Sequence, residues 1–257
     1  MCELFGLNAT RRIHVNDLLK EFFSHGNEHP NGWGLAFFYG NAVSLEKEGE
    51  NSCRSRYLRQ RLQSDIESDK LIAHIRLATK GSIDYKNSHP FVRSDAQGRK
   101  WTLAHNGTIF DCDLLNPYIF KQEGRTDSER ILLYLIDRIN EAIQKKGTPL
   151  SGEERFAVVE DVIEEITPEN KVNLLIFDGE ILYVHGNLRG GLHYSRSEGE
   201  FVVSTRPLGR RSWEEVPLNT LWGVEGGEVR YAGARHAHEY IEDEEKLRHL
   251  FLEYAQL

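Results

Sequence analysis

The chain opens with Met1-Cys2-Glu3-Leu4-Phe5-Gly6, in which a cysteine directly follows the methionine. If Met1 is removed, Cys2 carries a thiol and a free α-amine on one carbon atom. An α-amine that activates its own side-chain nucleophile is a known arrangement for acyl transfer. Reference pKa values of about 8.5 for the thiol and about 7.7 to 8.0 for the amine make the proton exchange between them nearly thermoneutral. Cys2 is therefore a candidate nucleophile, and the rest of the chain must supply its partners.

Composition narrows the class of protein. The 257 residues are 39% hydrophobic and 28% charged, with a net charge of -8 and scattered basic residues, which disfavours nucleic-acid binding. The sequence holds no apolar run near the ~20 residues of a membrane-spanning helix and no secretion signal, so we expect a cytoplasmic protein without a membrane partner. Cys2, Cys53 and Cys112 have no spacing typical of disulfides or zinc sites. We expect one domain over residues 1–257, with the mature chain starting at Cys2.

The order of apolar patterns predicts an α+β fold. Short β-branched and aromatic runs alternate with a few long amphipathic stretches, and the number of strands suggests two stacked, mainly antiparallel sheets covered by helices in a four-layer αββα sandwich. Thr126 and Ser151, each followed three residues later by glutamate, predict capping boxes at two helix starts. The predicted strands are 4–8, 35–38, 42–45, 71–75, 102–105, 172–177, 181–185, 201–204 and 220–224; the predicted helices are 17–25, 55–63, 126–146, one from 151 and one from 243.

Two polar segments follow predicted strands. The predicted strand over 71–75 is followed by Arg76, Thr79 and Gly81. An arginine at the end of a strand offers a planar guanidinium group that can form two parallel hydrogen bonds with a carboxylate. A solvated or salt-bridged arginine is the ordinary alternative. Asn106-Gly107 predicts a tight turn, and the same pair can aim a side-chain amide and a backbone N–H at one point, as an oxyanion hole requires. The two interpretations of Asn106-Gly107 are compatible.

Asp127 falls in the first turn of the long predicted helix. An acidic residue there complements the helix dipole, which needs no functional explanation. A carboxylate in a partly desolvated cleft can also bind an ammonium group. Taken together, an arginine, an aspartate and a pair of donors describe a site for an α-amino acid whose side chain carries a carbonyl.

These motifs together resemble those of the class II glutamine amidotransferases. The resemblance rests on the opening at Cys2 and on four further motifs in the family's order, and it spans the whole chain. The similarity extends to the stand-alone bacterial members of the YafJ type through two additional segments. The quoted motifs are His74-x-Arg76-x-x-Thr79-x-Gly81, Asn87-Ser88-His89-Pro90-Phe91, His105-Asn106-Gly107-Thr108 and Thr126-Asp127-Ser128-Glu129, and the two additional segments are His29-Pro30-Asn31-Gly32-Trp33-Gly34 and Ser204-Thr205-Arg206-Pro207.

The resemblance implies an N-terminal nucleophile hydrolase fold and a role for each matching residue. Cys2 would form a γ-glutamyl thioester, with Asn106 and Gly107 as the oxyanion hole. The residues implied to bind substrate are Arg76 and Thr79 at the glutamine α-carboxylate, Asp127 at its α-ammonium, and His89 in the lining of the pocket. The chain has no His-Arg-Gly run of the large fused enzymes, so contacts from the loop at residues 29–32 cannot be transferred.

The implied reaction is hydrolysis of the glutamine side-chain amide to glutamate and ammonia. A synthase partner that receives the ammonia is compatible with the sequence. Two alternatives stay open: a hydrolase of another γ-glutamyl amide, and a catalytically idle module that binds glutamine. No cofactor is implied, and we expect no metal site, because His236-Ala237-His238 in a polar segment is typical of solvated surface.

Overall fold

A computed structural model describes residues 2–78 and 81–243 of the chain. The described part contains thirteen strands and four α-helices, which are labelled here in chain order. The strands are β1 (Glu3–His14), β2 (Trp33–Tyr39), β3 (Ala42–Glu48), β4 (Glu67–Ile75), β5 (Phe91–Ser94), β6 (Lys100–Thr108), β7 (Lys171–Phe177), β8 (Leu182–His185), β9 (His193–Ser197), β10 (Glu200–Ser204), β11 (Glu214–Glu215), β12 (Trp222–Glu225) and β13 (Glu228–Ala232), and the helices are α1 (Asn16–Ser24), α2 (Arg56–Arg61), α3 (Asp127–Lys146) and α4 (Gly152–Ile166).

The strands form two antiparallel sheets. Sheet A has the order β11-β9-β10-β1-β4-β2-β3, and sheet B has the order β13-β12-β8-β7-β6-β5. Helices α1 and α2 pack on the outer face of sheet A, and α3 and α4 pack on the outer face of sheet B. The predicted four-layer αββα sandwich is confirmed.

Alternation along each strand divides the apolar residues among three cores. Leu4 of β1 and Ala104 of β6 face the opposite sheet, whereas Phe5 and Leu103 face the covering helices. Such alternation is expected, because successive strand residues point to opposite faces. The same rule directs Cys2, which lies one residue before Glu3, and Asn106 into the space between the sheets.

The Asn106-Gly107 turn predicted from the sequence is wrong. Both residues lie inside β6, where Asn106 pairs with Asn173 and Gly107 pairs with Val172 of β7. The long β6–β7 ladder overrides the local turn preference of the dipeptide. A Cβ atom added to Gly107 would lie 2.0 Å from the backbone oxygen of Lys171, so glycine is required here for close approach and not for a turn.

The two predicted helix caps have different outcomes. At α4 the reciprocal bonds between Ser151 and Glu154 are both present, as predicted. At α3 the Thr126 side chain accepts from the Glu129 backbone N–H, but the Glu129 side chain does not return the bond. Its carboxylate instead accepts from Arg93 at 2.6 Å, so only half of that capping box forms.

Several strands are longer than predicted, and others were missed. β1 and β6 extend beyond the predicted ranges, while β5, β9, β11 and β13 were not predicted. The helix predicted from residue 243 lies outside the described residues. No helix in the described ranges is long and apolar enough to cross a membrane.

Candidate active site

Cys2 lies at the start of β1, beside the end of the neighbouring strand β4. Its Sγ donates to the backbone oxygen of Leu77 at 3.4 Å and accepts from the Leu77 backbone N–H at the same distance. The pairing of Glu3 with Ile75 sets this register. The sulfur of the first described residue is therefore fixed against the segment that directly follows Arg76.

Two charged side chains lie within electrostatic reach of the sulfur. Burial raises the pKa of the Cys2 thiol, the hydrogen bond from Leu77 and the Arg76 charge lower it, and the Asp127 charge raises it. A thiol whose pKa is raised stays protonated near neutral pH, so it needs a base to become a nucleophile. The arrangement brings together three of the residues predicted from the sequence.

Arg76 is buried, with 2% of its surface exposed. Its two terminal nitrogens donate to the backbone oxygens of Ser82 at 2.9 Å and Gly81 at 3.1 Å. The guanidinium therefore organises the segment that follows β4 and stays at the cleft between the sheets. Thr79, the other residue predicted at the α-carboxylate, lies outside the described residues.

Asn106 is a buried polar residue on the face of β6 that is directed toward sheet A. It is 2% exposed, and within residues 2–78 and 81–243 its side-chain amide makes no hydrogen bond. The next residue, Gly107, lets the backbone of Lys171 approach closely. An amide to which no described residue is hydrogen-bonded, at the same end of the sandwich as Cys2, has the donor that an oxyanion hole needs.

Asp127 is the first residue of α3 and is 5% exposed. One carboxylate oxygen accepts from the Ile109 backbone N–H at 2.7 Å, and the other accepts from the Ser128 backbone N–H at 2.9 Å. The Ser128 hydroxyl also donates to the second oxygen, at 3.4 Å. These bonds fix the carboxylate next to the end of β6, and the oxygen bonded to Ile109 has a second lone pair that can accept from a ligand.

His89 lies against another histidine of the same motif set. Its Nδ1 is 2.8 Å from Nε2 of His74, and the two rings meet edge to face. Burial lowers the pKa of both rings well below the usual value, so both are neutral near pH 7. The role of His89 in the lining of the pocket stays a prediction. The sequence indicated no separate role for its partner His74.

Lys171 is a buried cation of the site that the sequence did not indicate. It pairs with Thr108 in the β6–β7 ladder and faces the space between the sheets, and its Nζ donates to Glu242 at 3.0 Å. Burial lowers the pKa of the Lys171 ammonium, and the charges of Glu242 and Cys2 oppose that effect. Its partner lies 71 positions further along the chain, so no local sequence signal could have revealed the pair.

One group of described residues has the composition of a metal site. His14 lies 2.9 Å from Asp65 and 3.1 Å from Glu67, and all three side chains are exposed. His14 contacts Asp65 through its Nδ1 and Glu67 through its Nε2. The group lies at the opposite end of β1 from Cys2.

The chain also matches known proteins. A model of the family described as class-II glutamine amidotransferases matches residues 1–201. The chain belongs to this family. It is 30% identical to an uncharacterized protein of Methanocaldococcus jannaschii over 263 residues, covering 91% of the chain and 72% of the relative. It is 29% identical over 208 residues to an Escherichia coli (strain K12) protein named "Putative glutamine amidotransferase YafJ", covering 80% of both chains.

Solved structures described as glutamine amidotransferases have the same fold as this chain. A structure described as a predicted glutamine amidotransferase from Pseudomonas aeruginosa PA01 superposes with a TM-score of 0.65 at 24% identity, covering 90% of this chain and all of that one. The glutamine phosphoribosylpyrophosphate amidotransferase of Bacillus subtilis gives 0.63 at 16% identity, covering 87% of this chain and 47% of that one. At these identities the similarity supports the fold, and the chemistry must be argued from the site.

Proposed function

We propose that the mature chain, starting at Cys2 after removal of Met1, hydrolyses the side-chain amide of glutamine. The Cys2 sulfur attacks the amide carbonyl carbon while the α-amine of the same residue takes the thiol proton. The carbon–nitrogen bond then breaks, the amine returns the proton to the leaving nitrogen, and ammonia departs. Water, activated by the same amine, cleaves the γ-glutamyl thioester and releases glutamate.

The remaining residues bind the substrate and stabilise the charge that develops. The Asn106 side-chain amide and the Gly107 backbone N–H donate to the oxyanion. Arg76, together with Thr79, binds the α-carboxylate, and Asp127 binds the α-ammonium. Each assignment uses a group whose charge or donor matches one end of an α-amino acid.

One observation carries this proposal. The Cys2 sulfur contacts the residue after Arg76 and lies within electrostatic reach of both Arg76 and Asp127. A cation and an anion near a partly buried thiol fit the two charged groups of an amino-acid substrate. Membership of the class II family supports the same reaction.

The test is glutamate release by purified protein whose N-terminus has been verified as Cys2 by intact mass. We expect wild-type turnover with glutamine, covalent labelling of Cys2 by 6-diazo-5-oxo-norleucine, and neither result with Cys2→Ala. Because the sulfur bonds only to Leu77 within the described chain, the variant should fold normally. Glutamate release by Cys2→Ala at the wild-type rate would overturn the mechanism, and turnover of another γ-glutamyl amide in place of glutamine would overturn the substrate.

A further inference from the structure

Two of the motifs quoted above take no part in the proposed reaction. The segments His29 to Gly34 and Ser204 to Pro207 both reach the residue that follows the nucleophile. The carboxylate of Glu3 is 1% exposed and points away from the cleft, toward the outer face of sheet A. Basic groups from both motifs surround it.

Three basic side chains approach the Glu3 carboxylate. His25 Nδ1 lies 2.8 Å from Oε2, while Arg206 Nε lies 2.8 Å and His29 Nε2 3.8 Å from Oε1. The His29 ring is oriented by its Nδ1, which donates to the backbone oxygen of His25 at 3.0 Å. Arg206 also contacts Glu28 at 2.7 Å on the exposed side.

The Ser204 to Pro207 segment also holds the backbone of β1. The Leu4 backbone N–H donates to the Thr205 hydroxyl at 2.9 Å, and the Thr205 backbone N–H donates to the Leu4 oxygen at 3.0 Å. Ser204 Oγ donates to the same oxygen at 3.2 Å. The start of β1 is therefore bound through both its main chain and its first buried side chain.

The His29 to Gly34 segment holds the other side of the site. The Asn31 backbone N–H donates to the Arg76 oxygen at 3.0 Å, and the Arg76 N–H donates to the Gly32 oxygen at 2.8 Å. The Asn31 side chain accepts from the Ala78 N–H at 2.9 Å. One loop thus connects the Glu3 carboxylate to the end of β4, where Leu77 contacts the nucleophile.

A chain terminus that takes part in catalysis must be anchored to the rest of the fold. The first residues of most domains are poorly ordered unless they are anchored, whereas a reacting group must be held within about 0.5 Å of its productive position. A buried carboxylate that depends on charged partners is costly compared with apolar packing. The ion pairs of Glu3 lie one residue from Cys2 and connect β1 to the end of β4. Positioning of Cys2 explains this location better than stability alone does.

We propose that Glu3 is a positioning residue, anchored by Arg206 and His25, which fixes the Cys2 sulfur and α-amine relative to the end of β4. The proposal rests on the function proposed above, because it assigns the amine a catalytic task. It predicts that loss of the Glu3 charge slows the reaction of bound substrate without weakening substrate binding, since Glu3 faces away from the cleft.

The test compares Glu3→Gln with Glu28→Gln in the mature protein. Glu28 contacts the same arginine from a side chain that is 61% exposed, and it does not touch Cys2 or Leu77. We expect Glu3→Gln to lower kcat about 10- to 100-fold with KM for glutamine within about threefold, because small misplacements of reacting groups have effects of this size. Glu28→Gln should keep wild-type kcat. A wild-type kcat for folded Glu3→Gln would overturn the proposal.

A second measurement separates this proposal from the proposed function. Amide hydrogen exchange of the peptide that contains residues 2–6 should be faster in Glu3→Gln than in Glu28→Gln, whatever the substrate. If wild-type protein releases no glutamate, the proposed function fails, and the hydrogen-exchange rates alone then decide whether Glu3 positions the start of the chain. Equal exchange rates in the two variants would overturn the positioning role of Glu3. If Glu3→Gln does not fold, Arg206→Met removes one of the two anchoring contacts of Glu3 from a partly exposed side chain. This variant should also lower kcat without raising KM, and a wild-type kcat would overturn the proposal.

Discussion

The Cys2 sulfur lies 3.4 Å from both the backbone oxygen and the backbone nitrogen of Leu77. This contact joins Cys2, which directly precedes β1, to the segment that contains Arg76. The antiparallel register of β1 and β4 produces it, because Glu3 pairs with Ile75 two positions before Leu77. Cys2 and the Arg76 guanidinium are thus positioned by one sheet, while sheet B supplies Asn106 from the opposite side.

Replacing Asn106 by alanine should lower glutamate release about 10²- to 10³-fold, the usual cost of one oxyanion donor. The loss should fall mainly on kcat, because the donor is used as charge develops. Thermal stability should change little, since the Asn106 amide has no hydrogen bond within the described chain. Asn116→Ala, at an exposed asparagine bonded to Asp113, is the control and should keep full activity. Equal turnover of the two variants would argue against the oxyanion role.

An uncleaved extension before Cys2 should abolish turnover. The α-amine would then be part of a peptide bond, which can neither accept the thiol proton nor activate water. The raised pKa of the Cys2 thiol makes a base necessary. The measurement is glutamate release by a fusion whose N-terminal tag is intact by mass spectrometry, before and after a protease exposes Cys2. Full turnover before cleavage would contradict the role of the terminus.

The local sequence signals predicted much of the fold and part of the site. Periodicity and the Ser151 cap located α3 and α4, and strand alternation indicated the stacked sheets, because these signals act over a few residues. The Asn106-Gly107 turn was wrong, since pairing with Asn173 and Val172 outweighs a dipeptide preference.

The contacts that were missed join residues far apart in the chain. Glu3 meets Arg206 and Lys171 meets Glu242 only after the sheets have formed. Arg93 similarly takes the Glu129 carboxylate away from its predicted cap. The order of the motifs predicts that Cys2, Arg76 and Asp127 belong to one site. The ion pairs around that site depend on which strands become neighbours in the fold, so local sequence does not predict them.

Replacing Asp178 by alanine should destabilise the protein without affecting the chemistry. Its carboxylate accepts from Arg155 Nε at 2.6 Å and from the Tyr183 hydroxyl at 2.8 Å, and Arg155 is 5% exposed. Removing one partner of a buried ion pair typically costs about 3–5 kcal/mol. Because Glu180 remains as a second, more exposed partner of Arg155, we expect a loss toward the lower end of this range. Asp178 follows the far end of β7, about 23 Å from Lys171 at ~3.3 Å per strand residue, so kcat of the folded fraction should stay unchanged.

Urea unfolding measures the Asp178 effect. Glu180→Gln is the matched control, because Glu180 pairs with the same arginine from a side chain that is 55% exposed. Its cost should stay below about 1 kcal/mol, as for other exposed ion pairs. A similar loss of stability in both variants would show that the Asp178 carboxylate is not the main partner of Arg155.

Buried His185 should make the free energy of unfolding fall in acid. Its Nδ1 donates to the Val172 oxygen at 2.9 Å and its Nε2 lies 2.9 Å from His236 Nε2, and burial lowers its pKa from 6.5 to about 3. Because the folded pKa lies below the unfolded one, the unfolded chain binds more protons between pH 6.5 and about 3. The contribution of His185 is therefore complete above pH 6.5 and declines by up to about 1.4 kcal/mol per pH unit below it.

The His185 contribution is measured by urea unfolding of wild-type protein and His185→Gln at pH 7.5, 6.5, 5.5 and 4.5. Burial also lowers the pKa of His74, His89 and His105, but these rings are present in both proteins, so the difference in slope reports on His185 together with its contact to His236. We expect the variant to be less stable than wild type at pH 7.5 and to approach it as the pH falls. Parallel curves over this range would mean that His185 is protonated equally in the folded and unfolded chains, against the pKa depression that its burial produces.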